Sequence, residues 1–128
     1  MQTLFDFMRR YRREDGSELC ETFVRAPKRR TEPAYYDVVT DPIDMLRIQQ
    51  KLKMDEYTTM EELKEDFERL FKNALSYYKK GSPEFKDAEE LSDLFAKALG
   101  TIDQVSCFIS HNKLYSRLLR TFFLNCHL

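Results

Sequence analysis

Hydrophobic residues recur at helical spacing in four separate segments of the chain, which predicts four helices. The first helix is predicted to end at Asp15-Gly16, because glycine favours a helix C-terminus. Its apolar face holds Leu4, Phe5, Met8 and Tyr11. The second helix is short and follows Asp44, whose carboxylate can accept a backbone N–H of the first turn. Its apolar face holds Met45, Ile48 and Leu52.

The third and fourth predicted helices have clearer start signals. Thr59-Met60-Glu61-Glu62 has the form of a capping box, in which the glutamate carboxylate reaches back to the capping threonine. Lys79-Lys80-Gly81 is predicted to end this helix, and Ser82-Pro83 to start the next, because proline fits the first helical position. The two apolar faces hold Leu63, Phe67, Leu70, Phe71 and Ala74, and then Ala88, Leu91, Phe95, Ala98, Ile102 and Val105.

Four helices with mostly short connections predict an all-α fold, an antiparallel four-helix bundle. One connection, of about 28 residues between the first and second helices, is much longer than the others. Loops of this length in a compact domain are usually functional or disordered. This one is too apolar for a solvated linker, so we expect it to pack on one end of the bundle and to wall a cavity. Its apolar residues are Phe23, Val24, Ala26, Pro27, Tyr35, Tyr36, Val38, Val39 and Ile43.

Composition agrees with a single helical domain. The chain has 128 residues, of which 42% are hydrophobic and 34% charged, with only 3 glycines and 4 prolines. An all-β sandwich and a glycine-rich nucleotide-binding fold are therefore not expected. No apolar run approaches the roughly 18 residues that span a bilayer, and the first residues do not form a signal peptide. The three cysteines and two histidines have no disulfide or zinc spacing, so we expect an intracellular, soluble protein without metal or cofactor.

The charge distribution divides the chain into two parts. Every acidic residue lies at or before Asp103, whereas residues 106–128 carry three cations and no acid. We therefore expect a domain over residues 1–105 and a separate basic, apolar tail over residues 106–128, with the last helix interrupted at Ser106–Ser110. Three interpretations of the tail stay open: a helix that docks on a partner, a membrane-surface helix, and an alternative C-terminus not selected for folding. We favour the third.

Several phrases in the long loop and the third predicted helix resemble bromodomains. These phrases are Phe23-Val24-Arg25-Ala26-Pro27, Pro33-Ala34-Tyr35-Tyr36, Asp41-Pro42-Ile43-Asp44-Met45, and Asp66-Phe67 through Phe71-Lys72-Asn73-Ala74 to Tyr77-Tyr78. The resemblance covers about residues 4–105. Residues 23–30 and 48–54 are most similar to N-terminal bromodomains of the polybromo type, which occur in a chromatin-remodelling subunit.

The resemblance implies a left-handed four-helix bundle that reads chromatin and performs no reaction. Its implied ligand is acetylated lysine on histone tails, and its implied location is the nucleus. Other subunits of a chromatin-remodelling complex are further expected partners, and we expect a monomer with no membrane contact. No catalytic set that would indicate an enzyme can be assembled around the predicted cavity, because both histidines, His111 and His127, lie in the tail.

The resemblance also assigns pocket residues. Phe23 corresponds to the family's aromatic shelf, and Ala26 and Pro27 to the apolar wall. Tyr35 corresponds to the tyrosine that holds a water bridging to the acetyl oxygen. The remaining matches are Asn73 and Tyr77 in the last turns of the third helix, and Glu84 at the channel mouth. Asn73 has a structural alternative, in which its amide tethers loop backbone groups from the helix end.

Tyr78 stands where the family has its acetyl-binding asparagine. A phenol keeps one O–H donor but is longer and bulkier than a carboxamide. The ring is therefore expected either to swing out, which leaves the pocket without a direct donor, or to fill part of the channel. Two functional hypotheses follow: a reader with weakened or altered acetyl-lysine affinity, and a degenerate bromodomain that acts as an interaction scaffold without this ligand.

The basic run Lys28-Arg29-Arg30 in the loop can meet nucleic-acid phosphates. We keep weak contact with nucleosomal DNA as a hypothesis on this ground. The alternative is a solvated charged surface, which we favour because the chain up to residue 105 is net acidic and lacks a base-reading motif.

Overall fold

The computed structural model describes the backbone of residues 1–109 and the side chains of residues 1–102. The helices of this part are α1 (Gln2–Arg10), α2 (Pro33–Val38), α3 (Met45–Lys53), α4 (Met60–Tyr77) and α5 (Pro83–Ile109). The described residues form no strand apart from an isolated bridge between Arg12 and Glu18. The predicted all-α fold is therefore confirmed, and α1, α3, α4 and α5 correspond to the four predicted helices.

The predicted caps of α3 and α5 explain where these helices begin. Asp44 Oδ1 accepts a hydrogen bond from the Arg47 backbone N–H at 2.8 Å. Ser82 Oγ accepts from the Phe85 backbone N–H at 3.3 Å, and Pro83 occupies the first helical position. Each oxygen satisfies a first-turn N–H that has no partner inside the helix.

The capping box of α4 differs in one detail from the prediction. Thr59 Oγ1 accepts from the Glu62 backbone N–H at 3.3 Å, as expected. The Glu62 carboxylate, however, reaches Thr58 instead of Thr59. It accepts from the Thr58 backbone N–H at 3.0 Å and from the Thr58 hydroxyl at 2.7 Å. Thr58 thus offers the Glu62 carboxylate two donors, its backbone N–H and its hydroxyl.

Helix α1 ends at Arg10, earlier than the predicted stop at Asp15-Gly16. Tyr11 is already extended, with φ −60° and ψ 131°. Gly16 instead serves a tight turn after the helix, where its φ of +87° suits a residue without a side chain. The turn is closed by the Arg13 backbone N–H, which donates to the Ser17 carbonyl at 2.8 Å.

The connection between α1 and α3 contains two elements that the sequence pattern did not reveal. One is the 3₁₀ turn Glu21–Phe23, and the other is α2, which starts at Pro33. The four predicted helices are all present, and α2 is an additional short helix in the long connection. Six residues of α2 are too few to display a helical period, and the helix buries only Tyr35.

A core of aromatic and aliphatic side chains joins the long helices. Phe67 of α4 lies at its centre, with ring centroids 4.7 Å from Phe95, 6.1 Å from Phe71 and 6.4 Å from Phe5. The other fully buried large side chains are Phe7, Leu4, Met8, Leu19, Met45, Ile48, Leu63, Leu91 and Cys20. Apolar burial on this scale is the main favourable term in folding.

Helix α5 continues to Ile109, so Ser106 to Ile109 do not interrupt it as predicted. The helix passes the expected domain boundary at residue 105 without a break. Residues 110–128, and with them most of the predicted tail, lie outside the described residues. Among the helices of the described part, none has the length and apolarity required to cross a bilayer.

Candidate functional site

The long connection folds back over one end of the bundle and encloses a small cavity, as its apolar composition predicts. Phe23, Ala26, Pro27 and Tyr35 of the connection and Tyr78 after α4 line this cavity. We call it the Tyr78 cavity. Its other lining residues are Thr22, Arg25, Ile43, Asp44, Leu70 and Ala74. The cavity lies at the place where the sequence predicted one.

The Tyr78 cavity is nearly full. Its free volume is about 10 Å³, which is close to the space that a single water molecule requires. The side chain of Tyr78 is half-buried and lines the cavity. Of the two orientations expected from the sequence, the small free volume beside Tyr78 favours the one in which the phenol fills part of the channel.

Two hydroxyl groups at this site are available to a ligand. The Tyr35 side chain is 5% exposed and that of Tyr78 is half-buried, and neither hydroxyl has a hydrogen-bond partner among the described residues. Burial raises the pKa of Tyr78 to about 12, with smaller contributions from Glu32, Tyr35 and Glu84. Burial likewise raises the pKa of Tyr35. Both phenols are therefore protonated at neutral pH and can donate.

Tyrosine rings pack edge to face in a row beside the cavity. Tyr35 lies 5.2 Å from Tyr36 and 4.8 Å from Tyr77 between ring centroids, and Tyr77 lies 5.0 Å from Tyr78. Such pairs contribute about 0.5–1.5 kcal/mol each beyond their buried area. Tyr77 does not line the cavity, and its hydroxyl donates to Glu32 at 3.4 Å. Its role is to support the rings of Tyr35 and Tyr78.

Two other predicted pocket residues lie outside the lining. Asn73 Nδ2 donates to the Asp41 backbone carbonyl at 2.9 Å, which corresponds to its structural alternative. Glu84 is half-buried, does not line the cavity, and is close enough to Tyr78 to raise the pKa of that phenol. The structure thus brings together five of the predicted residues and places Asn73, Tyr77 and Glu84 around them.

Some residues that line the cavity were not predicted from the sequence to belong to the site. Leu70 and Ala74 of α4 precede Tyr78 by eight and four positions, and a four-residue spacing down one helix face was a signal for them. Asp44 was assigned only as the cap of α3. Its second oxygen, Oδ2, also accepts from the Ala26 backbone N–H at 2.9 Å and so fixes the apolar wall.

The predicted basic run lies beside the cavity and is exposed. Lys28, Arg29 and Arg30 all face solvent, and none of them forms an ion pair within the described residues. The Arg29 guanidinium lies 4.1 Å from the ring centroid of Tyr36. The Tyr36 hydroxyl donates to the Pro27 backbone carbonyl, so the stacked arginine is connected to the cavity wall.

An ion-pair cluster connects α3, α4 and the long connection before α3. Asp66 of α4 accepts from Lys51 Nζ at 2.6 Å, from the Tyr57 hydroxyl at 2.5 Å and from Arg69 at 3.0 Å. Arg69 also bonds Asp41 of the loop at 2.8 Å. Burial disfavours the charge of Asp66, but the bonds from Lys51 and Tyr57 outweigh it and keep the pKa of Asp66 below its usual value. No group of three metal-ligating side chains occurs in the part of the chain whose side chains are described.

Comparison with known proteins identifies the family to which this chain is similar. The family model described as Bromodomain matches residues 6–90. Chromatin structure-remodeling complex subunit rsc4 of Schizosaccharomyces pombe is 30% identical over 104 residues, which is 81% of this chain and 19% of that protein. Subunit rsc1 of the same organism is 36% identical over 72% of this chain and 12% of its own length. ATP-dependent helicase brm of Drosophila melanogaster is 33% identical over 66% of this chain and 5% of its own length.

The chain thus spans about a fifth or less of these curated relatives. Solved structures show the same arrangement. A hypothetical bromodomain of Trypanosoma brucei in complex with bromosporine has a TM-score of 0.59 and 25% identity, over 62% of this chain and 70% of that one. The second bromodomain of Candida albicans Bdf1, bound to an imidazopyridine, has a TM-score of 0.63 and 23% identity, over 75% and 89% of the two chains. The second likeness concerns the fold alone.

Proposed function

The chain belongs to the bromodomain family, and from that premise we propose that it reads chromatin by binding acetylated lysine on histone tails with weakened affinity. The observation that carries the proposal is the position of Tyr78. By the resemblance to bromodomains it corresponds to the acetyl-binding asparagine of the family, and it lines a cavity in which about 10 Å³ is free. An acetyl group therefore has to displace part of this side chain to enter.

The chemistry of the lining suits a neutralised lysine. Acetylation leaves an apolar stem, a methyl group and an amide oxygen that needs a donor. Phe23, Ala26 and Pro27 supply apolar walls, and the hydroxyls of Tyr35 and Tyr78 supply donors. The carboxylate of the lining, Asp44, already accepts from the backbone N–H groups of Arg47 and Ala26. An unmodified ammonium would therefore lose its hydration without gaining a free carboxylate, and this cost provides the discrimination.

The rim of the cavity favours a basic residue beside the acetylated lysine. Glu32 and Glu84 both contribute to the raised pKa of Tyr78, and neither forms an ion pair within the described residues. Histone tails carry many lysines and arginines. We therefore assign Glu84, with Glu32, to contacts with a neighbouring cation of the tail.

The second candidate is a scaffold that has kept the fold and lost the ligand. The same small free volume favours it, because a ring that never leaves the channel excludes acetyl-lysine. Titration of the wild type beside Tyr78→Asn separates the two candidates, because a weak reader has measurable affinity that the exchange raises, whereas a scaffold has none before the exchange.

The wider setting is part of the proposal. We assign the chain to the nucleus, to complexes with other subunits of a chromatin remodeller, and to a monomeric, non-catalytic role without membrane contact. Weak contact of Lys28, Arg29 and Arg30 with nucleosomal DNA belongs to the same proposal, on the basis of their exposure and lack of ion pairs.

Titration with histone H3 peptides, followed by NMR, tests the function. An acetylated peptide is expected to shift the signals of Phe23, Tyr35 and Tyr78, which line the cavity. The same peptide without the acetyl group is the matched control and is expected to leave them unchanged. Identical spectra with the two peptides would favour the scaffold.

A further inference from the structure

A second surface feature of the protein shares no residue with the Tyr78 cavity. It is a groove of about 210 Å³ between the segment that follows α1 and the middle of α5. Its lining residues are Tyr11, Leu19, Glu90, Asp93, Leu94 and Lys97. A depression of about 470 Å³ continues it, shares Tyr11 and Glu90, and adds Arg13, Glu14 and Asp15. We call the two together the acidic groove.

The acidic groove has an apolar floor. Leu19 is 2% exposed, and Tyr11 and Leu94 are partly buried and pack against the core. Tyr11 and Leu94 therefore supply the exposed apolar surface, and charged residues of the lining surround it. An apolar patch with a polar rim is typical of a surface that takes another segment of polypeptide.

The rim of the groove is predominantly negative. Glu14, Asp15, Glu90 and Asp93 are exposed carboxylates along it. The charge of Arg13 is already engaged by an ion pair with Asp87 and by a longer one, at 4.0 Å, with Glu90. Lys97 is the remaining cation of the lining. The groove therefore matches a segment that is both basic and apolar.

We propose that the acidic groove binds the chain's own residues 110–128. This segment lies outside the described residues, and its composition has the required character. It carries Lys113, Arg117 and Arg120 and no acidic residue. Its large apolar residues are Leu114, Leu118, Leu119, Phe122, Phe123 and Leu124. The proposal is independent of the function assigned to the Tyr78 cavity.

The length of the segment permits this contact within one molecule. Helix α5 runs from the groove at Lys97 to Ile109, a distance of about 18 Å at the rise of an α-helix. The residues that follow can span up to about 60 Å when extended. The chain can therefore return along α5 to the groove with length to spare.

A zero-length carbodiimide crosslink on the full chain tests the proposal. The reagent joins an amine to a carboxylate that touches it, and Lys113 is the sole lysine of residues 106–128. Peptide mapping is expected to find Lys113 joined to Glu90 or Asp93. An equal mixture of isotopically labelled and unlabelled protein distinguishes links within one chain from links between two.

Paired variants provide the control. Glu90→Gln with Asp93→Asn is expected to reduce the yield of Lys113 links several-fold, whereas Glu65→Gln with Glu68→Gln, on the exposed side of α4, is expected to leave it unchanged. The yield is also expected to fall as salt rises from about 0.05 M to about 0.5 M, because ions screen surface charges. Links spread equally over Glu65 and Glu68, links between chains only, or no links of Lys113 would overturn the proposal.

Discussion

Tyr78 has two properties with opposite effects on a ligand. Its side chain lines a cavity in which only about 10 Å³ is free, and this small space opposes entry of an acetyl group. Its hydroxyl has no partner among the described residues and stays protonated, since burial raises its pKa to about 12. The hydroxyl can therefore donate to an acetyl oxygen once the ring has moved. The affinity of the site depends on the balance between these two effects.

Tyr78→Phe measures the contribution of the hydroxyl, because it keeps the ring and removes the donor. We expect the affinity for an acetylated histone peptide to fall about 2- to 10-fold, the effect of losing one hydrogen bond. Isothermal titration calorimetry checks the affinity, and a thermal melt checks that the fold is intact. Unchanged affinity would mean that the hydroxyl does not contact the ligand.

Asp66 is expected to make stability depend on acidic pH. Its pKa is lowered in the folded protein from the usual 3.8, so its contribution is complete above that value and is lost as the pH falls below it. Asp66→Asn removes the charged partner of Lys51 and Arg69 and is expected to cost about 1–3 kcal/mol at neutral pH.

Chemical denaturation between about pH 2 and pH 7 measures this effect. The variant is expected to lose less stability than the wild type as the pH falls through the acidic range. Asp37→Asn is the matched control, because Asp37 is exposed and forms no ion pair within the described residues. Equal pH profiles for wild type and Asp66→Asn would show that Asp66 contributes no pH-dependent stability.

At the scale of elements, Asp44 connects the start of α3 with the wall of the cavity. One carboxylate oxygen caps the helix through the Arg47 N–H, and the other holds the Ala26 N–H. Because Ala26 lines the cavity, a single side chain determines both where α3 begins and where this part of the cavity wall lies.

Asp44→Ala removes both bonds at once. We expect the free energy of unfolding to fall by about 1–3 kcal/mol, from the lost cap and the lost loop bond together. Hydrogen exchange of the Ala26 amide is expected to accelerate. Thr59→Ala is the control, because it removes a cap of α4 and no bond to the loop. If Ala26 exchanged equally fast in both variants, Asp44 would not be the residue that holds the wall.

The elements also show which features were predictable from sequence. The starts of α3, α4 and α5 were predictable. Their caps Asp44, Thr59 and Ser82 accept hydrogen bonds from backbone groups within the same turn, so only local sequence decides them. The end of α1 and the presence of α2 were not predictable. The end of α1 depends on the turn that follows it, in which the Leu19 backbone N–H donates to the Tyr11 carbonyl at 3.3 Å. Helix α2 depends on contacts with distant parts of the chain, such as the packing of Tyr35 against Tyr77.

The same distinction applies to the cavity. The similarity to bromodomains identified Phe23 and Tyr35, and both line the cavity. The size of the cavity was not predictable, because it depends on the orientation of Tyr78, for which the sequence left two alternatives. Ala74 was assigned to the core alone, since burial on a helix face does not distinguish core from cavity lining.

At the scale of the whole molecule, charge is separated on the surface. The basic run at residues 28–30 is free of ion pairs within the described residues, whereas the acidic groove lies on other elements. The chain carries a net charge of −1, so any attraction to nucleic acid has to be local.

Lys28→Ala, Arg29→Ala and Arg30→Ala together test this local attraction. The wild type is expected to bind DNA weakly in a mobility-shift assay at low salt and to lose binding steeply as salt rises. The triple variant is expected to bind more weakly at low salt and to depend less on salt. A shift unchanged between low and moderate salt would count against phosphate contact.

Calorimetric titration with one acetylated histone peptide, comparing Tyr78→Asn with the wild type, tests most directly whether Tyr78 limits access to the site. We predict that asparagine raises the affinity by about 10-fold or more, since it opens the cavity and restores a direct donor. Equal or lower affinity in a variant with an unchanged thermal melt would contradict the claim that Tyr78 limits access to the site.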